Sequence, residues 1–343
     1  MPRRAVVIGD GSWGTTLAKL LAENGVETTL WSHDPAQTET LRRKRENPRF
    51  LAGVELPENL RFSADPHAAS EGAELAVSVV PTQYLRGVAA RFEDAIAGNV
   101  PFVSATKGIE IESFKTPSQI LVEVLGERPV CVLTGPSHAE EVARGLPASV
   151  VAACSDIAVA ELVQQAFLCD SLRVYTQTDP IGAELGGALK NVVAIAAGIS
   201  DGLELGDNAK AALISRGMVE MARFGVSRGA SAQTFFGLAG LGDLVTTCCS
   251  RHSRNRAVGE AIGRGETLQE ILQRMEMVAE GVWTTKALFG PESEPGEVQM
   301  PIAEQVHAVL FANRAPRDAV LELMRRAPAA EMDGLTELDE ATR

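Results

Sequence analysis

Residues 5–16, AVVIGDGSWGTT, run from an apolar stretch straight into three glycines spaced as Gly9-x-Gly11-x-x-Gly14, and then into a helical pattern. Each glycine has a geometric task. At Gly9 the backbone can turn tightly at a strand's end, at Gly11 it can approach a pyrophosphate, and at Gly14 the following helix can pack close against a sheet. The setting says more than the string does. Residues 5–8 read as a buried parallel strand, Leu17, Ala18, Leu20 and Leu21 as a helix, and residues 26–31 as a second strand. Such a unit puts a dinucleotide's diphosphate at a helix N-terminus, where free N–H groups and the helix dipole favour negative charge. The plainer account is a turn that needs glycine only for packing. Asp10 is an awkward member of the loop, because a carboxylate beside a pyrophosphate is repelled unless its side chain turns away.

Up to about residue 178 strands and helices alternate, with further strands expected at residues 75–80, 101–105, 130–133 and 149–153. That alternation predicts a mostly parallel, doubly wound sheet. From residue 181 onward the patterns are helical. The expected fold class is therefore α/β, with a dinucleotide-binding Rossmann domain over residues 1–178 and a mostly α-helical substrate-binding and catalytic domain over 179–343. A chain of 343 residues is long enough for two such cores. Residues 291–300, PESEPGEVQM, read as an exposed loop.

A formal charge of −13 argues against general binding to nucleic acid or to an anionic membrane, so an anionic ligand must be held by a local cluster of cations. The start MPRRAVVIG has the basic opening of a signal peptide, but its apolar run ends at Gly9-Asp10. No stretch approaches a membrane span. A cytoplasmic enzyme is the expectation. Cys131, Cys154, Cys169, Cys248 and Cys249 form no CxxC pair and show no metal-ligand spacing, which predicts free thiols and no bound metal.

Four places could do chemistry. Lys190, followed by Asn191, sits within residues 182–199, a segment apolar nearly all round and so expected to be a buried helix. A buried ammonium needs a partner or a purpose, and desolvation lowers its pKa toward the range of general acid/base work. The alternative is a lysine that snorkels from a partly exposed face. Residues 237–256, GLAGLGDLVTTCCSRHSRNR, read as a glycine-punctuated loop carrying Asp243, Thr246, Thr247, Ser253, Arg254 and Asn255. Arg254 with Ser253 and Asn255 has the fork and the neutral donors that suit a phosphate monoester, although an Arg-rich helix start can equally be a solvated surface. Lys107-Gly108 follows a strand's carboxyl end, where open α/β sheets bind ligands, or is an ordinary loop lysine. Residues 134–140, TGPSHAE, also follow a strand; the amides there and the Ser137 hydroxyl could meet a ligand, while His138 reads as structural.

Taken together and in order, GDGSWGTTLA, ATKGIE, LTGPSHAEEVA, LGGALKNVVAIAAGI, GLAGLGDLVTTC, SRNRAVG and VAEGVWT resemble the bacterial NAD(P)-dependent glycerol-3-phosphate dehydrogenases. The resemblance covers most of the chain. It implies interconversion of sn-glycerol 3-phosphate and dihydroxyacetone phosphate, supplying glycerophospholipid synthesis. It also implies a helical domain like that of 6-phosphogluconate dehydrogenase, and a homodimer. The family's catalytic lysine falls on Lys190, and Asn191, Asp243 and Thr247 match positions that orient substrate and lysine. An ionised Asp243 would raise the lysine pKa against the effect of desolvation, which leaves the balance open. For substrate the match extends to Lys107, Gly135, Ser137, Ser253, Arg254 and Asn255. For cofactor it extends to Ser12, Trp13, Lys107, Ala139, Arg254, Val278 and Glu280, beside the glycines themselves.

The choice between NAD and NADP turns on the end of the second strand. Family members often have arginine where this chain has His33. Asp34 lies about twenty residues after Gly14, where an acid binds the ribose 2′-hydroxyl of NAD. Ser32 and His33 could instead receive the 2′-phosphate of NADP, and the balance tips slightly to NADP. The rival readings are a related dehydrogenase of another hydroxy acid, a non-catalytic dinucleotide-binding redox sensor, and an interaction protein.

Overall fold

The strands lie at Arg4–Ile8 (β1), Glu27–Trp31 (β2), Glu46–Asn47 (β3), Leu51–Glu55 (β4), Arg61–Ser63 (β5), Leu75–Ser78 (β6), Phe102–Ser104 (β7), Val130–Thr134 (β8), Ala148–Ala153 (β9) and Leu172–Gln177 (β10). This computed structural model describes residues 1–275, 278–293, 298–332 and 335. By its internal contacts the chain divides into two compact units, Met1–Thr106 with Pro117–Pro180, and Lys107–Thr116 with Ile181–Arg343. The short Lys107–Thr116 segment thus packs with the helical unit although the sheet surrounds it in sequence.

In the first unit eight strands form one sheet in the order β10-β9-β8-β7-β6-β1-β2-β5, and β3 pairs with β4 in a separate hairpin. All neighbours in the large sheet are parallel except β8 and β9. β1 is hydrogen-bonded on both sides, with Ala5 opposite Thr28 and Leu75 and Ile8 opposite Trp31 and Ser78. That placement explains its unbroken apolar run, since a central parallel strand is covered on both faces. Ala5 and Val7 belong to one core with Leu17, Leu21 and Phe167, and Val6 and Ile8 to another with Trp31, Phe92 and Phe102. The strand order reverses between β1 and β6, and ligands of such sheets bind outside the carboxyl ends of the strands at that point.

The glycine loop leaves β1 there and enters the helix Ser12–Glu23. Gly9 has φ +112°, a conformation that L side chains rarely adopt. A Cβ on Gly14 would stand 1.9 Å from the Gly9 carbonyl oxygen, so only glycine lets the helix begin this close to the strand.

The second unit is helical. Pro180–Gly202 runs through its middle, with Leu185, Leu189, Val192, Val193, Ile195 and Ile199 all buried among side chains from Asp207–Ser227, Arg254–Gly263, Glu280–Leu288 and Pro301–Phe311. The helix Arg254–Gly263 crosses it at backbone contact, because a Cβ on Gly259 would stand 2.0 Å from the Ile195 carbonyl oxygen. Residues 237–256, expected as a loop, are mostly helical: a π-turn over Leu238–Gly242 runs into the α-helix Asp243–Cys249, and a short connection leads to Arg254–Gly263. Small glycines there permit tight helical packing instead of breaking it. Of the expected loop at residues 291–300, positions 294–297 lie outside the described residues. All five cysteines are free, and among the described residues no helix is long and apolar enough to cross a membrane.

Candidate active site

Lys190 is 6% exposed, on the Pro180–Gly202 helix beside the core residues Leu189, Val192 and Val193. Its Nζ donates to Asp243 Oδ1 at 2.8 Å and to Thr247 Oγ1 at 2.6 Å. The Thr247 hydroxyl in turn donates to the Asp243 carbonyl at 2.7 Å, so its proton points away from the ammonium and its lone pair toward it. One turn of the Asp243–Cys249 helix thereby supplies both acceptors, and the preceding π-turn sets where that helix starts. The other Asp243 oxygen, Oδ2, accepts from Lys107 Nζ at 2.6 Å. Two lysines share one buried carboxylate.

Burial is the strongest influence on Lys190 and lowers its pKa. The Asp243 carboxylate opposes that, the Lys107 ammonium adds to it, and the result is about 8. Burial alone would raise the Asp243 carboxyl, but Lys107 and Lys190 outweigh it and hold the group below its ordinary value. An ammonium has three donors, and two of those on Lys190 are paired within the cluster. The third is the one a substrate oxygen can take.

Asn191 is turned elsewhere. Its Nδ2 donates to the Gly187 carbonyl at 3.2 Å, and its Oδ1 accepts from Asn255 Nδ2 at 2.8 Å. The Asn255 Oδ1 accepts from the Gly281 N–H at 2.9 Å. This buried chain joins three helices, and the side-chain hydrogen bonds of Asn191 go to Gly187 and Asn255 and not to the Lys190 amine. Ser253 caps the Arg254–Gly263 helix by accepting from the Arg256 N–H at 3.2 Å, which leaves its hydroxyl proton to donate. Arg254 is exposed at the first position of that helix. Arg256, absent from the sequence reading, ties the preceding turn down by donating to the Ser250 carbonyl at 3.1 Å and to Asp201 at 2.7 Å. Glu280 opens the Glu280–Leu288 helix, with Val278 just before it.

In the first unit, Gly11 is the N-cap of Ser12–Glu23, with no side chain capping the helix and no acid in its first turn. A Cβ on Gly11 would meet no atom within 4 Å. Free N–H groups facing open space suit a pyrophosphate, so the loop fits the group that its sequence implies. Asp10 does not disturb it: its carboxylate turns away and accepts from the Ser32 hydroxyl at 3.0 Å. That bond corrects the expectation for Ser32, whose hydroxyl also accepts from the Asp34 N–H at 3.2 Å and has no proton left for a phosphate. Asp34 itself caps the Pro35–Lys44 helix by accepting from the Ala36 N–H at 2.8 Å. His33 is exposed between them.

Ala139 is fastened near the loop, its carbonyl accepting from Thr16 Oγ1 at 3.3 Å, and Trp13 lies in the first turn of the same helix. Gly135 has φ +136°, and the Ser137 hydroxyl donates back to its carbonyl at 3.0 Å. His138 is the N-cap residue of the short helix Ala139–Val142. Lys107, Lys190, Asp243 and Thr247 thus converge in one cluster, with the Asn191–Asn255 chain built off the same helix; Gly135 and Ser137 belong to the other unit.

The profile described as NAD-dependent glycerol-3-phosphate dehydrogenase N-terminus matches residues 4–160, and the corresponding C-terminus profile matches residues 179–321. The chain belongs to the NAD-dependent glycerol-3-phosphate dehydrogenase family. A glycerol-3-phosphate dehydrogenase using NAD(P)+ from Chlorobium phaeobacteroides strain BS1 is 49% identical over 332 residues, covering 96% of this chain and 99% of its own. One of the same name from Citrifermentans bemidjiense is 50% identical over 334 residues, with the same coverage. The crystal structure of the Coxiella burnetii glycerol-3-phosphate dehydrogenase superposes with TM-score 0.90 at 37% identity, covering 94% of this chain and 99% of that one.

Proposed function

We propose that the protein interconverts sn-glycerol 3-phosphate and dihydroxyacetone phosphate with NAD or NADP, and that Lys190 is the general acid and base at C2. The observation that carries this reading is a lysine, 6% exposed, with two of its three donors fixed by Asp243 and Thr247. The nicotinamide, when bound, supplies or accepts the hydride at C2. In reduction, Lys190 donates its third proton to the C2 oxygen as negative charge develops there. In oxidation, neutral Lys190 takes the hydroxyl proton. Asp243 and Thr247 aim the amine in both directions, and Lys107, charged and held on Asp243, stabilises the same developing charge.

Arg254, Ser253 and Asn255 at a helix start suit the substrate phosphate, where a guanidinium fork and the positive end of a helix meet an anion. Gly135 and Ser137 line the substrate in this reading. The dinucleotide is held by Gly9, Gly11, Ser12, Trp13 and Gly14, with His33 and Asp34 at the ribose and Lys107, Ala139, Arg254, Val278 and Glu280 completing the set. A homodimer in the cytoplasm that supplies glycerol 3-phosphate to glycerophospholipid synthesis fits this activity.

The test is the initial rate of dihydroxyacetone phosphate reduction, followed as loss of absorbance from NADPH and from NADH, beside the rate on dihydroxyacetone. Turnover that depends on the phosphate is expected. Equal turnover on the unphosphorylated ketone would move the substrate to another hydroxy compound, and no turnover by a protein that binds cofactor would overturn the reading.

A further inference from the structure

Asn47 is fully buried and uses every polar atom of its side chain. Its Nδ2 donates to the Asp10 carbonyl at 2.7 Å and to Thr15 Oγ1 at 2.8 Å, on the two flanks of the glycine loop. Its Oδ1 accepts from Gln37 Nε2 at 3.0 Å and from the Phe50 N–H at 3.2 Å. The turn between β3 and β4 is therefore fastened to the dinucleotide loop, 37 residues away in sequence. Arg49 rides on that turn, exposed, its guanidinium 4.8 Å from the centre of the Phe50 ring.

The end of β2 needs such a cation if a 2′-phosphate is to sit there. Ser32 is committed to Asp10 and Asp34, and Asp34 spends one carboxylate oxygen on a helix cap. Two acids, Asp10 and Asp34, flank the place. Asp10 joins the two places, its carbonyl accepting from Asn47 at 2.7 Å and its carboxylate from Ser32 at 3.0 Å, and that carboxylate, raised in pKa by burial, is drawn back down by the nearby His33 and Arg49. Of these only arginine is charged at every working pH, and its planar fork matches a phosphate.

We propose that Arg49, presented by the turn that Asn47 fastens to the glycine loop, joins His33 in receiving the adenosine 2′-phosphate and sets a preference for NADP over NAD. The proposal rests on the dinucleotide reading of the loop and not on the identity of the substrate. Calorimetry on the full chain would compare 2′,5′-ADP with 5′-AMP, which differ only in that phosphate. The wild type is expected to bind 2′,5′-ADP the more tightly, and Arg49→Ala to lose about tenfold or more of that advantage, the scale of one charge-assisted pair. Arg49→Lys, which keeps the charge without the fork, should fall between them. Arg43→Ala, an exposed cation on the neighbouring helix, should keep the wild-type ratio and so separate a specific contact from a general charge effect.

In parallel, the ratio of kcat/KM with NADPH to that with NADH should fall in Arg49→Ala. Equal affinity of the wild type for the two nucleotides, or an unchanged ratio in Arg49→Ala, would overturn the proposal. A protein that shows the nucleotide preference and its loss in Arg49→Ala, yet fails to reduce dihydroxyacetone phosphate, would overturn the substrate reading and leave this one standing.

Discussion

Lys190 Nζ lies 2.8 Å from Asp243 Oδ1, although 53 residues separate them in the chain, and the second Asp243 oxygen holds Lys107 at 2.6 Å. One carboxylate between two ammonium groups leaves the cluster with a positive charge that it cannot cancel internally. Burial and Lys107 both push the Lys190 proton off and Asp243 holds it on, which brings its pKa down to about 8. A group that gains and loses a proton near working pH is what acid/base catalysis in both directions requires.

The pH dependence follows, and its sign differs with direction. Reduction needs protonated Lys190, so its kcat/KM should fall as pH rises through about 8; oxidation needs the neutral amine, so its kcat/KM should rise through the same region. Profiles measured in both directions from pH 6 to about 10 would check this. Two profiles of the same sign would remove Lys190 from the proton transfer.

Asp243→Asn removes the charge that holds the Lys190 proton. The break in the reduction profile should move to lower pH, and turnover should fall by about 10²-fold or more, because the amine loses its charge partner as well as its aim. Thermal melting alongside the rate profile separates this from unfolding. A break that stays in place would show that Asp243 does not set the lysine.

Asn255→Leu would leave the Gly281 N–H and Asn191 Oδ1 without their present partners. Each buried unpaired group costs roughly 1–3 kcal/mol, so denaturant unfolding should show the loss. Under the proposed function, which puts Asn255 at the substrate phosphate, KM for dihydroxyacetone phosphate should also rise more than kcat falls. A pure stability loss with unchanged KM would make the residue structural only.

Glu220 gives a stability test far from the chemistry. Its buried carboxylate accepts from the Ile302 and Ala303 N–H groups at 2.8 and 2.9 Å, yet desolvation carries its pKa from 4.5 up to about 7. The folded state then binds a proton that the unfolded state has released, so this group's stabilising contribution is complete below pH 4.5 and is lost as pH rises through about 7. Melting temperatures of wild type and Glu220→Gln should accordingly shift in the variant's favour between pH 5 and about 8. A constant difference across that range would contradict the account.

The glycine loop and Lys190 were legible because each breaks a local pattern: three glycines where a strand should meet a helix, and a charge inside an apolar helix. Strands β1, β2, β6, β7, β8 and β9 were legible from their apolar runs, to within two residues at their ends, whereas the three-residue β5 and the alternating β10 were not. The helical character of residues 237–256 was not, since glycine usually ends helices and nothing local announces that a Cβ on Gly240 would stand 2.0 Å from the Phe235 carbonyl oxygen, or one on Gly186 2.6 Å from that of Ala239. Nor was the commitment of Ser32 to Asp10, which depends on the parallel pairing of β1 and β2 bringing the two strand ends together. Asn47 lies in a polar stretch with no periodicity, and only the fold shows that it bolts a distant turn to the loop.

The most direct test of the central claim is kcat for dihydroxyacetone phosphate reduction by Lys190→Ala at saturating cofactor, with cofactor affinity measured separately on the same protein. The account predicts turnover lower by about 10²–10⁴-fold, the range for loss of a general acid, in a folded protein that still binds NADPH. Turnover near that of the wild type would contradict it.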